Sequence, residues 1–165
     1  MTDPIHAYLL LDTSASMSGA PLEALKQGLH LLCATFISRS KRPVQIALIG
    51  YESTAREISP LADAHKFETP KLDAAGSSGL GGAFRLVSSQ MPDHDPTLLY
   101  IFTDGEPTDD WEIAIASLRP RVRNILGIIC GPAANSTALD PLIDKLYRVR
   151  ELTPDLLFET FRSFV

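Results

Sequence analysis

The chain has 165 residues, 45% of them hydrophobic and 21% charged, with a formal net charge of −5 at pH 7. That length suits one domain spanning residues 1–165 around one core, and the composition excludes a disordered chain. The acidic balance argues against generic nucleic-acid binding, and the apolar runs fall far short of the roughly 20 residues a membrane span needs.

Apolar runs alternate with helical patterns along the chain, which predicts an α/β fold with a mainly parallel sheet. The N-terminus has no basic segment before its apolar run and does not read as a secretory signal. Ile5 to Leu11 is a short apolar run stopping at Asp12, as a buried strand would. A helix opens near Pro21, with Leu22, Leu25, Leu29, Leu32, Cys33 and Phe36 at helical spacing. Val44 to Tyr51 reads as a second strand and Ala55 to Ile58 as a short edge partner. Ser59 to Gly82 carries Pro60, Pro70 and several glycines and reads largely as loop.

Further along, a helix is predicted from Leu80 to Ser89, followed by the clearest strand, Thr97 to Thr103. Asp109 with Glu112 three residues on suggests an N-cap for a helix reaching Leu118. Val122 to Cys130 reads as a strand, about Ser136 to Leu146 as a helix, and Pro154 to Phe164 as the closing helix. Cys33 and Cys130 lie outside any CxxC spacing and in apolar stretches. Both are expected to be reduced core residues, which places the domain in the cytoplasm.

Two polar stretches interrupt the pattern where strands end: Asp12-Thr13-Ser14-Ala15-Ser16 and Thr103-Asp104-Gly105-Glu106. In open α/β sheets ligands bind beyond the carboxyl ends of the strands, where strand order reverses. A strand order of 3-2-1-4-5-6 makes the strands ending at Asp12 and Asp104 neighbours across that crevice. No Lys or Arg stands in either loop, so a hard divalent cation is the natural counter-charge for two converging carboxylates. Capping of a turn or of the next helix by Asp12 and Ser14 is the plainer alternative.

The Asp12-x-Ser14-x-Ser16 run and Thr103-Asp104-Gly105 resemble the metal-ion-dependent adhesion site of von Willebrand factor A domains. The family places a threonine between them, in a Gly-rich loop that opens a helix. Ala75-Gly76-Ser77-Ser78-Gly79-Leu80-Gly81-Gly82 is similar to that loop, with Ser78 where threonine is usual. The resemblance implies a three-layer, doubly wound fold with a Mg²⁺ ion at the top, Mn²⁺ or Ca²⁺ being possible substitutes. It further implies that Ser14 and Ser16 bind the ion directly, that Asp12 and Asp104 act wholly or partly through water, and that Ser78 joins when a partner is bound. An ion so under-neutralised would attract an Asp or Glu from a partner protein.

Within the family the chain resembles the bacterial TerY-like, tellurium-resistance branch. The residues concerned are Leu11 to Gly19, Leu80-Gly81-Gly82-Ala83, the run from Phe102 to Trp111, and Leu152-Thr153-Pro154. That branch implies a stress-response or signalling assembly with a protein kinase and a PP2C-type phosphatase as partners.

Met17 and Trp111, with Tyr51, are expected near the crevice rim, where an exposed Trp could anchor a partner. Packing of Trp111 over its own helix N-terminus is the alternative. The glycines after Ser78 lack the Lys-Ser/Thr a phosphate-binding loop needs. The four histidines have no metal-ligand spacing. Three basic groups, Arg39/Lys41/Arg42, Arg119/Arg121/Arg123 and Lys145/Arg148/Arg150, are expected on the face opposite the metal, as a second docking surface or as ordinary helix-terminal cations.

A metal-dependent protein-interaction module is therefore the leading expectation, and not an enzyme. A Mg²⁺-dependent phosphatase of the haloacid dehalogenase kind would need an acid two residues after Asp12, and Ser14 cannot act as one near neutral pH. A structural domain with a vestigial metal site is the third reading, and Ser78 is its best argument.

Overall fold

The structure, a computed structural model, describes residues 3–92, 96–105, 107–131 and 143–164. Six strands form one sheet: β1 (Ile5–Asp12), β2 (Val44–Tyr51), β3 (Ala55–Asp63), β4 (Thr97–Thr103), β5 (Asn124–Ile129) and β6 (Lys145–Arg148). The helices are α1 (Ala20–Arg39), α2 (Leu80–Gln90), α3 (Trp111–Leu118) and α4 (Pro154–Glu159). The strand order is β3-β2-β1-β4-β5-β6, as expected, with every neighbouring pair parallel except the β2–β3 hairpin.

All residues of β1 and β4 are buried. Both strands lie inside the sheet with helices over each face, so they read as continuous apolar runs rather than alternating ones. Alternate side chains serve two cores. Ile5, Ala7, Leu9 and Leu11 pack with Leu98, Tyr100 and Phe102 against Leu25, Leu29, Leu32 and Phe36 of α1 and Leu157 of α4. Tyr8 and Leu10 pack with Leu99 and Ile101 against Phe84 and Val87 of α2 and Ile115 and Leu118 of α3. The result is three layers. Tyr100 fixes the end of the chain over α1, with its hydroxyl 2.7 Å from Thr160 Oγ1 and its ring edge-on to Phe36.

Several expected boundaries change. β3 runs on to Asp63, past Pro60, because the pairing slips there: Leu48 faces Ser59 while Ile46 faces Ala62. A bulge on an edge strand is where proline is tolerated, since no ladder N–H is required of it. The strand expected at Val122 to Cys130 is trimmed to Asn124–Ile129. Of the helix expected from Ser136 to Leu146, residues 136–142 lie outside the described residues, and Lys145 and Leu146 open β6 instead, opposite Leu126 and Gly127. The closing helix ends at Glu159 and continues as a separate 3₁₀ turn, Arg162–Phe164.

The third basic group is divided by β6. Because β6 is parallel to β5 and Arg148 faces Ile129, Arg148 and Arg150 lie toward the carboxyl end of the sheet, not opposite it. The other two groups stay at the amino end and are largely engaged within the chain. Arg39 pairs with Asp155 at 2.9 Å, Arg119 with Asp144 at 2.6 Å, and Arg42 donates to the Asp3 carbonyl. Arg121 donates to the Ser88 and Met91 carbonyls at the end of α2. Helix-terminal anchoring, rather than a free basic face, describes these residues.

Candidate metal centre

β1 and β4 pair side by side, with Leu11 opposite Phe102, so the residues that follow emerge together at the carboxyl end of the sheet. Asp12, the last residue of β1, is fully buried. Its Oδ1 accepts the Ser14 N–H at 2.9 Å. Its Oδ2 accepts the Thr103 hydroxyl at 2.6 Å and the Ser78 hydroxyl at 3.2 Å. The Ser14 and Ser16 hydroxyls are 3.3 Å apart, within a 3₁₀ turn that carries the chain from β1 toward α1. Ser16 in turn hydrogen-bonds Asp104, the first residue after β4. One connected set thus joins Ser78, Asp12, Ser14, Ser16 and Asp104. Burial decreases across it, from the enclosed Asp12, Ser14 and Ser78 to the half-buried Asp104 and the exposed Ser16.

Electrostatics set this end apart. Burial, reinforced by the Asp12 charge and opposed by the Ser16 hydrogen bond, holds the Asp104 carboxyl above the usual carboxylate range. The Tyr51 phenol, paired across the sheet with Asp12, is pushed well up by burial and by the same carboxylate charges. Among the described residues, neither Asp12 nor Asp104 has an ion-pair partner. Also among them, no cluster of three or more His, Cys, Asp or Glu side chains exists. A metal at this point would therefore rest on two carboxylates and three hydroxyls. That all-oxygen set fits a hard divalent cation and suits Mg²⁺, Mn²⁺ or Ca²⁺ better than a soft metal.

The five expected site residues are brought together; the expected rim is not. Met17 is fully buried in the α1-side core and Trp111 is only 6% exposed in the α2/α3 core, so neither offers a surface to a partner. The 3₁₀ turn rolls Met17 inward. Trp111 opens α3 against the first turn of α2, where a Cβ on Gly81 would come within 3.0 Å of its backbone. Tyr51 is buried as well.

Asp109 also departs from expectation. It does not cap α3, whose N-cap is Asp110 with no side-chain capping bond. Its carboxylate instead accepts the Gly81 and Gly82 N–H groups, at 2.9 and 3.2 Å, in the first turn of α2. Thr103 and Asp109 are contributors that sequence spacing had assigned to the strand end and to a local cap.

A family model for the von Willebrand factor type A domain matches residues 7–106. The chain belongs to this family. The matched span runs from β1 past Asp104 and contains all five site residues. Three-dimensional likeness extends further. A von Willebrand factor type A protein from Catenulispora acidiphila superposes with TM-score 0.69 at 19% identity, over 97% of this chain and 41% of that one. An aerotolerance-related membrane protein from Bacteroides fragilis, carrying multiple mutations to serines, superposes with TM-score 0.69 at 11% identity, over 97% of this chain and all of that one. Proximal thread matrix protein 1 from the mussel byssus, with a zinc-occupied MIDAS motif, gives TM-score 0.68 at 15% identity, over 97% and 45%. At these identities the likeness is one of fold. The chain spans less than half the length of the Catenulispora and mussel proteins. No curated protein matches it.

Proposed function

We propose that this von Willebrand factor type A domain is a metal-dependent protein-interaction module. Asp12, Ser14, Ser16, Ser78 and Asp104 hold a divalent cation, Mg²⁺ first and Mn²⁺ or Ca²⁺ next, and an Asp or Glu of a partner protein completes its shell. The observation that carries this reading is the connected set of two carboxylates and three hydroxyls, built on the fully buried Asp12, in which neither carboxylate has an ion-pair partner among the described residues. A hard cation bound there would supply a Lewis-acidic point for a partner carboxylate. Asp12 and Asp104 supply negative charge, Ser14 and Ser16 supply neutral oxygens, and Ser78 supplies a hydroxyl already turned toward Asp12. The zinc-occupied MIDAS motif of the mussel protein supports metal binding in a chain of this fold.

Binding rather than catalysis is proposed because position 14 is a serine, which gives no general acid beside Asp12. Ser78 keeps its hydroxyl in the set, which favours a working site over a vestigial one. The TerY-like motif runs make a bacterial stress-response or signalling assembly, with a kinase and a PP2C-type phosphatase, the proposed setting. Cys33 and Cys130 are both free and buried, in keeping with a cytoplasmic chain, and among the described residues no helix is long and apolar enough to cross a membrane. Calorimetric titration of Mg²⁺ and Mn²⁺ into chelator-treated protein tests the reading. One-site binding that disappears in Asp104→Ala is expected; binding that persists unchanged in that variant would defeat it.

A further inference from the structure

Ser78 reaches Asp12 from a loop with no regular structure of its own, so its position depends on what holds that loop. On one side the holders are the neighbouring turns: Ala75 N–H donates to the Thr13 carbonyl, Ala15 N–H to the Gly76 carbonyl, and Gly79 N–H to the Glu52 carbonyl. On the other side everything comes from the segment that follows Asp104. The Ser78 carbonyl accepts both the N–H and the hydroxyl of Thr108, at 2.8 and 3.1 Å. One residue further, Asp109 accepts the Gly81 and Gly82 N–H groups. The N-cap of α2 is Gly79, which has no side chain to satisfy these donors. An acid 28 residues away in sequence therefore takes the place of a capping side chain.

Glycine at 79 and 81 makes the approach feasible. A Cβ on Gly79 would lie 2.6 Å from the Glu52 carbonyl oxygen, and one on Gly81 would lie 2.9 Å from Asp109 Oδ2. The Gly-rich run and the acidic run after Asp104 are thus two halves of one brace. Its ends are the Asp104 loop and the Ser78 loop, both of which bear site residues.

We infer that Asp109, acting with Thr108, is a positioning residue of the metal site that sets the Ser78 hydroxyl against Asp12. The inference rests on the metal-site reading above. The Asp109 carboxylate hydrogen-bonds the Gly81 and Gly82 N–H groups rather than the Asp12–Ser14–Ser16–Asp104 set, and so acts through Ser78 and the first turn of α2.

Because Ser78 joins the ion when a carboxylate completes its shell, the test is titration of Mn²⁺ into the chelator-treated full chain with acetate in excess as the carboxylate probe, at a temperature well below melting. The proteins compared are wild type, Asp109→Ala, Asp109→Asn, Ser78→Ala and the Ser78→Ala/Asp109→Ala double variant. Partners standing behind a metal ligand typically account for about 10- to 100-fold in affinity, so Asp109→Ala is expected to bind at least about tenfold more weakly. Asp109→Asn keeps one acceptor oxygen and should fall between it and wild type. In the Ser78→Ala background the Asp109→Ala change should add little, because the route through Ser78 is already gone.

A merely structural cap would lower the melting temperature of Asp109→Ala and leave Mn²⁺ affinity unchanged, and that result overturns the inference. So does an equal loss with and without Ser78. If Asp109→Ala fails to fold, Asp109→Asn and Thr108→Val carry the comparison, and wild-type affinity in both overturns it. Absence of Mn²⁺ binding by the wild type is a different result: it defeats the metal reading itself, and this inference with it.

Discussion

The basic groups at the amino end of the sheet and the carboxylates Asp12 and Asp104 at its carboxyl end are treated in opposite ways. At the amino end guanidinium groups are matched: Arg119 meets Asp144, Arg39 meets Asp155, and Arg42 and Arg121 close onto backbone carbonyls. At the carboxyl end Asp12 and Asp104 lie in one hydrogen-bonded set with only hydroxyls and an amide for company. Burying a carboxylate without a counter-charge is costly. The carboxyl end pairs charge as well where Arg85 meets Asp110 at 3.0 Å, but among the described residues Asp12 and Asp104 have no such partner, and those two carboxylates are where a cation has something to add.

Loss of Trp111 should have the largest effect on stability. It is a core side chain at the carboxyl end, so Trp111→Ala is expected to destabilise the domain by about 3–5 kcal/mol in thermal or denaturant unfolding. Mn²⁺ affinity measured below melting should barely move. A variant that keeps wild-type stability would return Trp111 to the surface.

Asp12→Ala comes next. Metal binding should be abolished while the folded circular dichroism spectrum persists, since removal of an uncompensated charge offsets part of the loss of its three hydrogen bonds. Retained binding would break the contrast between the two ends. At the amino end, Arg119→Ala should do the reverse, with metal affinity intact and a stability loss of no more than about 1 kcal/mol for so exposed a pair.

The smallest effects lie in pH dependence, and they have opposite signs. Asp104 is raised in the folded state, so the folded protein holds its proton to higher pH than the unfolded chain does. Metal-free stability therefore falls as pH rises from the usual Asp value of about 3.9 through the raised folded value. Asp63, at the amino end, is lowered by the His65 N–H and by the His65 ring. Its contribution is present above about pH 3.9 and is lost as pH falls through the lowered value. Asp104→Asn should flatten the first slope and Asp63→Asn the second, as followed by melting temperature from acid to neutral pH without metal.

Much of this organisation could be read from the residues. β2 and β4 appear at their expected bounds because each is an apolar run closed by polar or turn-forming residues; Asp12, Ser14, Ser16 and Asp104 lie at or just past strand ends, whereas Ser78 is legible only through the resemblance of its Gly-rich loop to the family's. What stayed hidden depends on contacts distant in sequence. β6 is four residues long and follows a helical pattern, so periodicity cannot separate it. Pro60 ends a strand by local rules, yet a bulge on an edge carries β3 past it. Asp109 has the spacing of a local cap and serves a different helix. Met17 and Trp111 adjoin the site in sequence, and adjacency says nothing about which way a large side chain turns.

Crystals of the chelator-treated protein soaked in Mn²⁺, with anomalous differences recorded, test the central claim most directly. One strong peak enclosed by Asp12, Ser14, Ser16, Ser78 and Asp104 is the predicted result. Well-occupied Mn²⁺ elsewhere, with none among those five residues, would contradict it.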